Sequence, residues 1–225
     1  MSAPPVVIFG ASRGTGLEFA RLLRAQDVPV IALLRGETGR AELDALGVEL
    51  VHGDVMDPAA LEATLALAPS GYRIVSTLAG LAPDGRWIDE AGNIALVDAA
   101  LTRPPERFVL VTSMGCGEMA PHRSEAAIAA FGAVVDAKTR AEDHLRRSGL
   151  PYCILRPGGL RSQPATGRGI LCADHAIHGF IHRADLAVLI ERVLRDPSIL
   201  GEALAAVDAD LAHGPNPIQA VALVP

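Results

Sequence analysis

Short aliphatic runs alternate along this chain with stretches whose apolar positions recur every three or four residues. The first kind reads as strand and the second as amphipathic helix. Strands are expected near 5–9, 30–34, 48–51, 72–77, 107–112 and 152–156, and helices near 15–26, 38–46, 58–67, 88–102, 125–148 and 184–195. The strand runs are continuous in Val, Ile and Leu, which suits strands covered on both faces. Alternation of the two kinds predicts βαβ units, with right-handed crossovers placing helices on both sides of a parallel sheet. The expected class is therefore α/β, a doubly wound parallel sheet that binds its ligand outside the carboxyl ends of the strands. Segment 157–183, rich in Gly, Pro and His, reads as an irregular wall over that pocket. Gly214-Pro215-Asn216-Pro217 breaks structure before a short apolar end, 218–224, which reads as an edge strand or an oligomer contact.

Between the run Val6-Val7-Ile8-Phe9 and the helical run 17–23 lies Gly10-Ala11-Ser12-Arg13-Gly14-Thr15-Gly16. Glycines at a strand-to-helix turn let the backbone bend tightly and approach a pyrophosphate. The first helical N–H groups and the positive helix end then hold that anion. The context predicts a dinucleotide site in a single Rossmann domain over residues 1–225. NAD enzymes carry an Asp or Glu at the end of the second strand to accept from the ribose 2′-OH. Here Val30-Ile31-Ala32-Leu33-Leu34 ends in Arg35. A guanidinium favours a 2′-phosphate and leaves a 2′-OH without its acceptor. Arg13 is a second cation on the same side and Arg40 a third candidate, although each also reads as a solvated surface arginine. The expected cofactor is NADP(H).

Bulk composition narrows the rest. A chain of 225 residues can bury a full core as one domain but is short for this fold plus a large substrate domain. Half of the residues are hydrophobic and only 4% aromatic, so the core is aliphatic. A net charge of −6 gives no basic field for nucleic acid or an anionic membrane. No apolar run is long enough for a membrane span, and Met-Ser-Ala-Pro-Pro does not read as a signal peptide. Cys116, Cys153 and Cys172, few and odd in number, fit reduced thiols in a cytoplasmic protein. The expected partner is a small-molecule substrate, with no nucleic acid and no membrane, for a monomer or homodimer.

Gly10-xxx-Gly14-x-Gly16 resembles the glycine spacing of the short-chain dehydrogenase/reductase superfamily. Further along, six segments are similar to its atypical branch, the NAD(P)-binding, NmrA-like and biliverdin-IX-beta or flavin reductase-like proteins. They are Gly53-Asp54-Val55-Met56-Asp57, Val75-Ser76-Thr77-Leu78-Ala79-Gly80, Val109-Leu110-Val111-Thr112-Ser113, Lys138-Thr139-Arg140-Ala141-Glu142, Leu155-Arg156-Pro157-Gly158-Gly159-Leu160 and Ile181-His182-Arg183-Ala184-Asp185-Leu186-Ala187. The resemblance implies cofactor contacts from Gly10, Ser12, Arg13, Gly14, Thr15, Gly16 and Arg35 in the first half. It places Asp54 at the adenine amino group, with Val55 beside the ring; the other reading of Asp54 is a turn before Pro58. It brings Ala79 and Gly80 past the adenine-side ribose, and adds Leu78, Pro157 and Gly158 as further cofactor contacts. Ser113 would face the nicotinamide, or merely cap a strand end, and Lys138 would hold the nicotinamide ribose; these two are the catalytic candidates.

The departure from the family pattern is at the proton donor. Typical members place a Tyr four residues before the Lys, on the same helix face. Here that residue is Val134, and the chain's two tyrosines, Tyr72 and Tyr152, read as strand residues. General acid catalysis needs a donor within reach, and Val has none. Glu118 and His122, in an expected flexible loop 113–122, are replacement candidates; Cys116 is a redox handle or a filler, and Met114 and Met119 read as pocket lining. Cys172-x-x-His175-x-x-His178-x-x-x-His182 has zinc-like donors, but Gly179 interrupts it and the family needs no metal, so none is expected and a His-lined wall is preferred. Arg156 and an Arg183–Asp185 pair read as braces of the backbone, not as groups acting on substrate. The expected function is an NADPH-dependent reductase of a small or flat acceptor: flavin, quinone, activated alkene or carbonyl. The alternatives are a non-catalytic NADP(H) redox sensor and an isomerase or epimerase that retains its nucleotide.

Overall fold

A computed structural model describes residues 4–224. The aliphatic runs form β1 (Val6–Phe9), β2 (Val30–Leu34), β3 (Glu49–His52), β4 (Arg73–Ser76), β5 (Arg107–Val111) and β6 (Tyr152–Pro157). The periodic stretches form α1 (Gly14–Ala25), α2 (Arg40–Ala45), α3 (Pro58–Leu67), α4 (Ile88–Thr102), α5 (Glu125–Ser148) and α6 (Arg183–Arg195). Four strands were not expected: β7 (Gly159–Arg161), β8 (Gly169–Cys172), β9 (Phe180–His182) and β10 (Glu202–Asp208).

The main sheet has eight strands in the order β3-β2-β1-β4-β5-β6-β10-β8. All neighbours are parallel except β10 and β8. The order reverses between β1 and β4, which opens a crevice at their carboxyl ends. Strand residues alternate between two apolar layers. Val6, Ile8, Ala32, Leu34, Val109 and Leu155 pack with Phe19 and Leu23 of α1 and with Leu186 and Ile190 of α6. Val7, Phe9, Ile31, Leu33, Ile74 and Ile154 face the other way, onto Leu61 of α3, Leu96 of α4 and Leu145 of α5. Covering both faces explains why the strand runs are continuously apolar.

Segment 157–183 is more regular than expected. β7 and β9 pair in a small parallel sheet of their own, and β8 extends the main sheet. The apolar end 218–224 forms no strand. Val221 N donates to Leu171 O (2.8 Å), and Val221 and Leu223 lie against the α1–α6 layer. Among the described residues, no helix is long and apolar enough to cross a membrane.

Candidate functional site

A cavity of about 550 Å³ opens at the strand-order switch. Gly10, Ser12, Arg13, Gly14 and Thr15 line one side, and Arg35, Asp54, Val55, Leu78, Ala79 and Lys138 line it further round. Most of the residues singled out in the sequence therefore meet at one place. Gly16 stands behind the turn, where a Cβ would run into Gly10 O, so its role is close packing of helix on strand. Gly80, Ser113, Pro157 and Gly158 also lie outside the lining. Gly158 approaches Gly179 O so closely that a Cβ has no room.

The α1 end of the cavity is built for an anion. Arg13 is the N-cap and provides no side-chain cap, so the first helical N–H groups stay open. Thr15 Oγ1 is buried, unpartnered and in the lining. An orphaned hydroxyl beside an open helix terminus is what a dinucleotide diphosphate would satisfy, and the residues present fit that group. Gly39, which the sequence reading passed over, folds the next loop onto the turn: its φ is +74° and a Cβ would meet Ser12 O.

At the end of β2, Arg35 lies 3.7 Å from Asp54 Oδ2. Asp54 Oδ1 accepts from Met56 N (2.9 Å), so this carboxylate also forms the turn that was its other reading. Arg40 is not in the lining; on α2 it faces Glu37 (3.5 Å) and Asp44 (3.8 Å).

At the opposite end, the Lys138 ammonium pairs with Asp89, a carboxylate only 1% exposed. Asp89 Oδ2 also accepts from Gly80 N (2.8 Å), which places Gly80 behind the lining strand end. Asn93 Nδ2 donates to Asp89 O (2.8 Å), and Ser76 Oγ donates to Asn93 Oδ1 (2.5 Å). Asp89 was missed; an acid in the first turn of a helix reads only as favourable to the helix dipole. Thr112, also in the lining, donates to Glu142 Oε1 (2.6 Å). Glu142 is bound by Arg156 (2.6 Å), which reaches Glu118 (2.7 Å), itself bound by Arg146. Arg156 was expected to brace backbone; it braces the Glu142 and Glu118 carboxylates instead.

That chain disposes of one replacement donor. Hydrogen bonds from Arg146 first, and then from Arg156, hold the Glu118 carboxyl far below the usual carboxylate range despite partial burial. It stays ionised and has no proton to give. Glu118 and His122 belong to a 3-10 turn, Gly117–His122, rather than to an unstructured loop, and neither lines the cavity. Val134 is half-buried one turn before Lys138. Tyr72 donates to Arg103 O (2.5 Å), and Tyr152 opens β6; both sit at the amino edge of the sheet, away from the cavity. Ser113 Oγ lies 3.6 Å from Cys116 Sγ. Cys116, Cys153 and Cys172 are free and buried, and burial pushes each thiol up, Cys153 to about 12.

The histidine segment is not helical, so His175, His178 and His182 share no helix face. His178 stacks on His213 at 6.0 Å, and His182 Nδ1 meets Pro164 O (2.7 Å). Among the described residues no three His, Cys, Asp or Glu side chains cluster as metal ligands. The expected Arg183–Asp185 pair does not form. Asp185 turns to accept from Thr166 N and Gly167 N (both 2.8 Å), while Arg183 lines the cavity.

A family model described as NAD(P)H-binding matches residues 10–197. The structure of ChuY, described as an anaerobillin reductase from Escherichia coli O157:H7, superposes with a TM-score of 0.85 at 35% identity, covering 92% of this chain and 98% of that one. Sanguinarine reductase from Eschscholzia californica is 30% identical over 81% of each chain. YhfK of Bacillus subtilis, described as an uncharacterized sugar epimerase, is 28% identical over 95% of this chain and 96% of its own length. The chain belongs to the NAD(P)H-binding family, in the atypical branch of the short-chain dehydrogenase/reductase superfamily.

Proposed function

We propose that this oxidoreductase uses NADPH to reduce a small or flat organic acceptor, such as a flavin, a quinone or an activated alkene or carbonyl. The observation that carries the cofactor choice is Arg35, which stands in the cavity lining where NAD enzymes place an acid. The carboxylate beside it, Asp54, comes from the end of β3 and is engaged by Arg35 and Met56 N. Arg13 adds a second cation in the lining. ChuY and sanguinarine reductase, both named as reductases, support the direction of the chemistry.

When bound, NADPH supplies the hydride. The chain's residues bind and orient. The open end of α1 and Thr15 hold the diphosphate, Arg35 and Arg13 the 2′-phosphate, and Asp54, Val55, Leu78 and Ala79 the adenosine. Lys138, fixed by Asp89, presents its ammonium to the nicotinamide ribose; it has no phenol beside it to activate. Thr112, fixed by Glu142, borders the acceptor side, and Leu160 of β7 helps to exclude water. With Val134 in the donor position, the proton comes from solvent or from the acceptor itself. Conjugated acceptors suit such a site better than simple ketones.

Calorimetric titration should give NADPH a lower Kd than NADH by about tenfold or more. Arg35→Asp should raise the NADPH Kd by about thirtyfold and move the NADH Kd by less than about threefold, since one charge-assisted contact becomes a repulsion. Equal wild-type affinities for the two cofactors would remove the reading. The similarity to YhfK favours a second reading, an epimerase that keeps its nucleotide. NADPH consumption against flavins, quinones, enones and ketones separates the two, because an epimerase interconverts its substrate with no net consumption.

A further inference from the structure

Arg183 opens α6, directly after β9, in the second half of the sheet. Its side chain crosses to the first half. It lines the cavity, and its Nε lies 3.4 Å from where a Cβ on Gly14 would stand. Gly14 is the first residue of α1. Arg183 donates to Ser162 Oγ (2.7 Å) and, among the described residues, forms no ion pair. Asp185, the counter-charge expected from the sequence, is spent on Thr166 and Gly167.

A guanidinium over an uncapped helix N-terminus sets a full positive charge against the positive end of a dipole. Arg13 adds a further charge at the same turn. This grouping is repulsive by itself and becomes favourable when an anion stands between its parts. The buried, unpartnered Thr15 Oγ1 marks the same spot independently, as a donor without an acceptor. We infer that Arg183 is a clamp for the dinucleotide diphosphate, closing on the end of α1 from the β9–α6 side. The inference rests on the proposed placement of the cofactor. It also has a consequence for the acceptor. Ser162 directly follows β7, so an occupied clamp pins the wall that carries Leu160. The wall is set once the cofactor is in, and the acceptor binds second.

The test uses Arg183→Met and Arg183→Lys with calorimetry on NADPH, NADH and adenosine 2′-monophosphate, which has the 2′-phosphate and nothing at the 5′ position. Arg183→Met should weaken NADPH and NADH by the same factor, about tenfold, and the monophosphate by less than about threefold; Arg183→Lys should recover part of the loss. Loss of NADPH affinity with NADH unchanged would move Arg183 to the 2′-phosphate and overturn the inference, as would unchanged affinity for all three. Wild-type protein that bound neither dinucleotide would instead defeat the cofactor placement itself. For the wall, saturating NADPH should slow tryptic cleavage after Arg161 and Arg168 in the wild type and not in Arg183→Met. Equal protection of both proteins would overturn the coupling.

Discussion

Lys138 looks at first like a residue left over from a lost catalytic pair, since the position one turn before it holds Val134. Asp89 gives it a different partner. The buried carboxylate holds the ammonium in one place, as a positioned point charge. Asp89→Asn keeps an acceptor for Gly80 N and removes only the charge. Asp89→Asn and Lys138→Met should each weaken NADPH about tenfold, with the double variant no weaker than either single one, because the two residues act as one unit. Asp89→Asn should also destabilise the fold by about 3 kcal/mol, the usual order for stranding half of a buried pair. Denaturant unfolding of the cofactor-free variants reads this. Additive losses in the double variant would separate Asp89 from the cofactor end of Lys138.

At the scale of elements, the carboxylates and guanidiniums between α5, β6 and the 3-10 turn tie three parts of the structure together behind Thr112. Glu118 has its pKa lowered in the folded state by Arg146 and Arg156, so its contribution to stability is fully present above the unfolded carboxylate range, near pH 4, and is lost as pH falls through the lower folded value. The urea midpoint should therefore hold steady from neutral pH to about pH 5 and fall below about pH 4. Glu118→Gln should be less stable than the wild type at neutral pH and should show a shallower acid decline; an unchanged decline would exclude Glu118 from acid unfolding. None of these pairings could be read along the chain, since each joins residues far apart in sequence. The six parallel strands and six helices were legible because each carries its own apolar pattern and its own glycine or proline boundary. β10 was not: Glu202-Ala203-Leu204-Ala205-Ala206-Val207-Asp208 is alanine-rich, and alanine favours strand only where neighbours demand it, here β6 and β8. β7 and β9, three residues each, are too short to show a period. At the site, the glycine turn and Arg35 were visible as a local pattern, whereas Asp89 and the crossing of Arg183 depend on how α4, α5 and α6 come together.

Across the whole molecule, the two halves of the sheet contribute unlike things to one cavity. The first half supplies the turn, the open helix end and Arg35; the second supplies Lys138, Thr112 and Arg183. The apolar end of the chain is folded back on the protein's own body, with Val224 N donating to Asp196 Oδ2 (2.6 Å). The three cysteines are distributed through the same interior, each at most 1% exposed. A catalyst that handles reducing equivalents thus carries no accessible cysteine thiol among the described residues. Thiol-directed alkylating reagents should find nothing to react with while the protein is folded. Iodoacetamide at neutral pH should leave the intact mass and any NADPH-dependent turnover unchanged for as long as the chain stays folded, and add three adducts once urea opens it. Labelling then becomes a clock: the rate at which carbamidomethyl groups appear under native conditions counts how often the interior opens, and bound NADPH should slow it.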